Sequence, residues 1–144
     1  MAWSEWLPIS GSTDRKPLYG GPAAYQVRIE ARGRVLPLRR FLGIDANGLL
    51  CIGMTENMAR RTRQFSRALR TGYGHSEANQ LHKIAKFRRF TDSLATCRYA
   101  IRHCKAKTRN AAAHAEEKLI RNYWKRFGEV PPLNSVIPRM KRRR

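Results

Sequence analysis

A chain of 144 residues with 42% hydrophobic content suits a single domain with a modest core. Its 30 lysines and arginines against 10 acids give a formal net charge of +20, a self-repulsion that argues against a protein working without a counter-charged partner. The expected partner is a polyanion: nucleic acid first, because neutralised phosphates release counterions, and an anionic membrane surface second. No run of about eighteen apolar residues is present, which excludes a membrane-spanning helix. The stretch "MAWSEWLPIS" lacks the basic and apolar regions of a signal peptide. Cys51, Cys97 and Cys104 make an odd count without a CxxC pair, which speaks against a disulfide framework and for a reducing, cytoplasmic setting. Cys104 with His103 and His114 matches no common zinc spacing.

Residues 1–22 carry Gly11, Pro17, Gly20, Gly21 and Pro22 without a sustained period, and read as an irregular lead-in on which Trp3 and Trp6 can still pack. "AAYQVRI" (Ala23–Ile29) alternates apolar and polar side chains and predicts a strand. "RVLPLRRFLGI" is a second extended stretch, with Pro37 marking an edge or a break. "DANG" (Asp45–Gly48) is turn chemistry, "LLCIG" is a short apolar strand, and the stretches on either side of the turn predict a hairpin.

A first helix is expected from about Thr55–Asn57 to about Leu69, broken by "TGYGHS". Ser76 is expected to cap a second helix reaching about Phe87. "ATCRYAIRHC" (Ala95–Cys104) predicts a strand with Tyr99 and Ile101 on one face, and "KAKTRN" a basic loop. A third helix is expected from about Ala111 to Phe127, stopped by Gly128. "VPPLNS" is expected to be extended, because Pro131 and Pro132 forbid helix, and "RMKRRR" is a basic tail. Helices intruding between strands predict an α+β class: a small, mostly antiparallel β-sheet flanked by about three helices.

Two side chains break the helical patterns. With residues about 100° apart on the first helix, Met58, Phe65 and Leu69 share one arc, while Arg60, Arg63, Arg67 and Arg70 share the opposite one. That arginine stripe has no acid after Glu56 and suits a phosphate backbone; the plainer reading is a solvated face, although such faces usually mix signs. Arg61 belongs to neither set. It lies at the edge of the apolar arc, where a guanidinium that cannot shed its charge needs an anion or must snorkel. On the third helix Leu119, Ile120, Tyr123 and Phe127 form the apolar arc, with Glu116 near its middle and Glu117 about 100° away beside Trp124. An inward carboxylate must be protonated, paired or bound to a metal. An inward carboxylate and an inward arginine suggest a phosphodiester site, one holding a divalent cation and the other taking transition-state charge. The alternative is a buried Arg61–Glu116 salt bridge without chemistry.

These residues, in this order, resemble the GIY-YIG nuclease family. "AAY" resembles its Gly-Ile-Tyr strand, with Tyr25 matching the tyrosine and Ala23 in place of the first glycine. "CIG" resembles its Tyr-Ile-Gly strand, with Gly53 matching the glycine and Cys51 where tyrosine is usual. Counting ten residues from Cys51 reaches Arg61. "GHSEANQL" resembles the segment that supplies a histidine in some members, here His75; "AEEKLI" resembles the Glu-x-x-Leu-Ile pattern and selects Glu116; "PPLN" resembles the closing motif and gives Asn134. The likeness runs from about Tyr25 to Asn134, with a longer stretch between the first two motifs than in compact members.

The resemblance implies a GIY-YIG-like nuclease domain over residues 23–137, followed by a basic tail, 138–144. It implies a metal-dependent endonuclease hydrolysing phosphodiester bonds, in DNA rather than RNA, with Mg²⁺ (or Mn²⁺) on Glu116. Tyr25 would act as general base or orient the attacking water, Arg61 would stabilise the pentavalent phosphate, and His75 would assist proton transfer or orient the phosphate. Cys51, Gly53 and Asn134 would support the site. Arg60, Arg63, Arg67, Arg70 and Lys83, with Arg139, Lys141, Arg142, Arg143 and Arg144 of the tail, would add nonspecific nucleic-acid affinity, and Tyr73 is a secondary candidate. The rival reading is a noncatalytic basic nucleic-acid-binding protein. It explains the charge equally well, but not the inward Glu116 matched by Arg61. No membrane partner is expected, because the fold consumes the apolar face opposite the arginine stripe.

Overall fold

The computed structural model describes residues 1–9, 18–84 and 97–135. The basic tail, with Arg139, Lys141, Arg142, Arg143 and Arg144, and the expected reach of the second helix to Phe87 lie outside the described residues. In chain order the elements are β1 (Leu7–Ile9), β2 (Ala23–Ala31), β3 (Arg34–Val35), β4 (Leu38–Arg40), β5 (Gly43–Asp45), β6 (Leu49–Thr55), α1 (Met58–Thr71), α2 (Ser76–Ile84), β7 (Cys97–Lys105) and α3 (Arg109–Phe127). The class is α+β and every strand pairing is antiparallel.

β2 is the spine. β7 pairs along its whole length, from Ala23↔Lys105 to Ala31↔Cys97. Its other edge is shared: β6 covers Ala23 to Arg28, and β3 covers Glu30 and Ala31. A central strand is buried on both faces, which is why the alternation in "AAYQVRI" leaves even Gln26 buried. The β2–β3 turn needs positive φ at Arg32 (53°) and Gly33 (75°), the geometry that follows the right-handed twist of the strands.

Helices cover both faces. Phe65 and Ala68 of α1, with Ala78 and Leu81 of α2, pack with Tyr25, Val27 and Ile29. Ile120, Tyr123 and Phe127 of α3 pack with Leu49 and Ile52 of β6. Ile52 points away from the Tyr25 face because its neighbour Gly53 is the residue opposite Tyr25. Asp45, almost fully buried, ties the turn before β6 to α3: it accepts from the Asn47 and Leu49 amides and from the Tyr123 hydroxyl (2.9 Å). Among the described residues no helix is long and apolar enough to cross a membrane.

Several sequence expectations are corrected. Leu7–Ile9, inside the expected irregular lead-in, forms β1 on the outer edge of β7. Trp3 and Trp6 do pack, stacking on the guanidinium of Arg102. The turn at Asp45–Gly48 exists, but its flanks do not pair with each other: β5 pairs β4, and β6 pairs β2. The long core-facing strand finds the longer partner, and Pro37 cuts the preceding stretch into pieces. Ser76 is not the cap of α2; it is the first helical residue, and the His75 carbonyl opens the helix by accepting from the Asn79 amide (2.8 Å). Pro131–Asn134 closes a turn, with the Asn134 amide donating to the Pro131 carbonyl (3.0 Å), so "VPPLNS" is not simply extended. The ends of α1 and α3 follow local chemistry. Asn57 and Thr108 cap their first turns, and left-handed Gly72 and Gly128 end them.

Candidate active site

Tyr25 and Gly53 stand opposite one another on β2 and β6, and opposed residues share a sheet face. A Cβ on Gly53 would collide with Cζ and Oη of Tyr25. Only glycine therefore lets the phenol lie across β6. Tyr25 is 3% exposed, and its Oη lies 3.2 Å from Nε2 of His75.

His75 sits at the entry to α2, 4% exposed and edge-on to Phe65 (ring centroids 4.7 Å apart). Its Nδ1 is 3.0 Å from Oε2 of Glu77, which also accepts from the Ser76 hydroxyl (2.7 Å). The Ala78 amide lies 3.4 Å from the same nitrogen. Assigned from the shorter, charge-assisted contact, the proton sits on Nδ1 and is donated to Glu77, which leaves Nε2 to accept from the Tyr25 hydroxyl. Both ring nitrogens thereby have partners within the protein.

Charge ties these groups to Arg61 and Glu116. Burial lifts the Tyr25 phenol well above its ordinary value, helped by Cys51 and the carboxylates of Glu77 and Glu116 and opposed by Arg61. Burial also works against ionisation of Glu77, but hydrogen bonds from His75, Ser76 and its own backbone prevail and hold its carboxyl at about 2. Glu116 goes the other way. Burial, then the charge of Glu77, push it up to about 7 against the pull of Arg61. The two carboxyls are thus shifted in opposite directions: near neutral pH Glu77 is ionised, while Glu116 is only partly so.

Arg61 is half-buried, and its Nε is buried without a hydrogen-bond partner among the described residues. It feels Glu116 electrostatically yet forms no ion pair with it, so the buried salt bridge considered from sequence is absent. Glu117, by contrast, is paired with Arg121 one turn on (3.1 Å), which leaves Glu116 as the carboxyl of this helix that faces the cluster.

The supporting residues have distinct parts. Asn134 clamps the open edge of β6: its Oδ1 accepts from the Ile52 amide and its Nδ2 donates to the Ile52 carbonyl, both at 2.9 Å. Cys51 is 1% exposed, and burial raises its thiol well above the usual range. It lies in the core cluster that contains Tyr25. Arg60, Arg63, Arg67 and Arg70 are exposed along α1, as are Lys83 in the last turn of α2 and Tyr73. Sequence reasoning missed Glu77. The signal available was its place two residues after His75 in the first turn of a helix, where an acid ordinarily complements the helix dipole.

Comparisons with known protein families, with curated proteins and with solved structures returned no match.

Proposed function

We propose that this chain is a metal-dependent endonuclease of the GIY-YIG kind, hydrolysing phosphodiester bonds in nucleic acid, DNA in preference to RNA. One observation carries the reading: an unpartnered guanidinium nitrogen on Arg61 and a strained carboxyl on Glu116 share the electrostatic surroundings of a Tyr25–His75–Glu77 hydrogen-bond chain.

The donor chemistry suits a hard divalent cation. Ionised Glu116 suffers from burial and from Glu77, and a cation would relieve both. Among the described residues there is no cluster of three His, Cys, Asp or Glu side chains. Mg²⁺, which keeps several waters and binds through one or two carboxylates plus substrate phosphate, matches so sparse a set. Glu116 would hold Mg²⁺ (or Mn²⁺), which supplies Lewis acidity at a phosphoryl oxygen and offsets leaving-group charge.

The protein's own groups divide the remaining work. Tyr25 is too deeply buried to wait as a phenolate. It relays instead: its oxygen takes a proton from the attacking water while its own proton passes to Nε2 of His75. The resulting imidazolium stays paired with Glu77, whose low value keeps it anionic. The water oxygen bonds to phosphorus, the ester P–O bond breaks, and the departing oxygen is protonated from solvent. Arg61 meets the phosphate as its equatorial charge grows.

The test uses supercoiled plasmid with Mg²⁺, comparing the wild type with Glu116→Gln, Arg61→Ala and His75→Ala. Nicking is expected to fall by about 10²–10³-fold when a transition-state donor such as Arg61 is removed. Wild type and variants cutting alike would overturn the catalytic reading. Tight retention of nucleic acid without metal-dependent cleavage would favour the noncatalytic binding protein.

A further inference from the structure

The connection between β4 and β5 displays Phe41 (80% exposed) and Leu42 (61% exposed) at its tip, with Ile44 exposed behind them. This is not a loose loop. The Leu42 amide donates to the Phe127 carbonyl (3.0 Å), and the Phe41 amide donates to the Glu129 carboxylate (2.9 Å). Arg40 pairs with Glu129 (3.1 Å) and donates to the Val130 carbonyl (2.6 Å). Gly128 completes the seat, since a Cβ there would strike both Leu42 and Phe41. The fold thus fixes two large apolar side chains in solvent, at the C-terminal end of α3.

The surroundings select an occupant. Arg39, Lys125 and Arg126 are exposed around the tip, and the nearby acid, Glu129, is already paired with Arg40. A second copy of a +20 chain would meet this rim with like charge. A polyanion that also offers flat apolar surfaces fits both the rim and the tip, and unstacked nucleobases have that chemistry. We infer that Phe41 and Leu42 form a base-stacking wedge that engages exposed or unstacked bases of the nucleic acid. The inference rests on the nucleic-acid reading above and extends it to a second contact. At a helical rise of about 1.5 Å per residue, Phe127 lies about 17 Å along α3 from Glu116. At about 3.4 Å per nucleotide, that spans roughly five stacked nucleotides.

The experiment is fluorescence anisotropy with labelled single-stranded and duplex oligonucleotides, without divalent cation, across a KCl series. The double variant F41A/L42A is expected to lose roughly five- to a hundredfold in affinity, while the slope of log K against log salt stays unchanged because no cation is removed. F41W is expected to retain binding, with its indole emission quenched by the bases. Both side chains are exposed, so circular dichroism should match the wild type. Binding by F41A/L42A within about twofold of wild type overturns the wedge and leaves the nucleic-acid reading standing. So does a wild-type dimer that the variant dissociates in sedimentation velocity, or a loss confined to anionic phosphatidylserine vesicles. A wild-type chain with no affinity for either oligonucleotide overturns both.

Discussion

Gly53 carries a hydrogen where any other residue would carry a carbon, and the Tyr25 ring occupies that space. Gly53→Ala should therefore displace a buried ring, at about 1–3 kcal/mol, read as a lower urea midpoint. An unchanged midpoint would show that the ring relocates freely. The two carboxyls of the cluster make opposed pH predictions. Glu77 falls from 4.5 to about 2 on folding, so its contribution is complete above about 4.5 and fades as pH falls toward 2. Glu77→Gln should cost up to about 3 kcal/mol near neutral pH and almost nothing near pH 2. Glu116 rises from 4.5 to about 7. The folded state holds its proton more tightly, so stability drains away as pH climbs from 4.5 through 7. Glu116→Gln should consequently raise the melting temperature at about pH 8 and leave it little changed at about pH 5. A variant less stable than wild type at the higher pH would mean that the ionised carboxylate is well paired, contrary to the geometry.

At the scale of elements, β6 is an edge strand along the stretch where it forms the site, and Asn134 protects that edge. Asn134→Ala would leave the amide and carbonyl of Ile52 without their partner, at about 1–3 kcal/mol. Amide exchange at Ile52 should accelerate more than exchange in the middle of β2; equal protection at Ile52 would refute the clamp. β2, β6, β7 and the ends of α1 and α3 were legible because local alternation and capping specify them. β1 was not, since a three-residue strand carries almost no pattern and exists only because β7 offers an edge. The false hairpin has the same origin: a turn signal reports a reversal, while long-range burial decides which strand β6 joins. Within the candidate site, helical phase sufficed to mark Arg61 and Glu116 as partly buried charges, since a charge in an apolar arc is visible in one dimension. The turn of Glu77 back onto His75 depends on the loop before α2 and left no periodic trace.

Across the whole molecule, the distribution of acids matters more than their number. Glu30, Glu117 and Glu129 are paired with Arg28, Arg121 and Arg40; Glu77 holds His75; Asp45 is spent on backbone amides and Tyr123. The Glu56–Arg109 pair is long (3.6 Å) and exposed, so it neutralises little. The stripe of Arg60, Arg63, Arg67 and Arg70 therefore faces solvent uncompensated by any ion pair among the described residues. If the stripe tracks a phosphate backbone, each Arg→Gln change should reduce the salt slope of duplex binding by about 0.9, and the fourfold variant by about 3–4. On single strands the fourfold loss should be nearer 3, because their counterion density is lower. The weakening should be independent of base sequence, since phosphates carry none. Folding stability should hold or rise, because like charges are being removed from a compact body. Anisotropy titrations over a salt series measure the slope directly. A slope that stays put in the fourfold variant would mean that these arginines only solvate the helix, and that the counterions are released elsewhere on the protein.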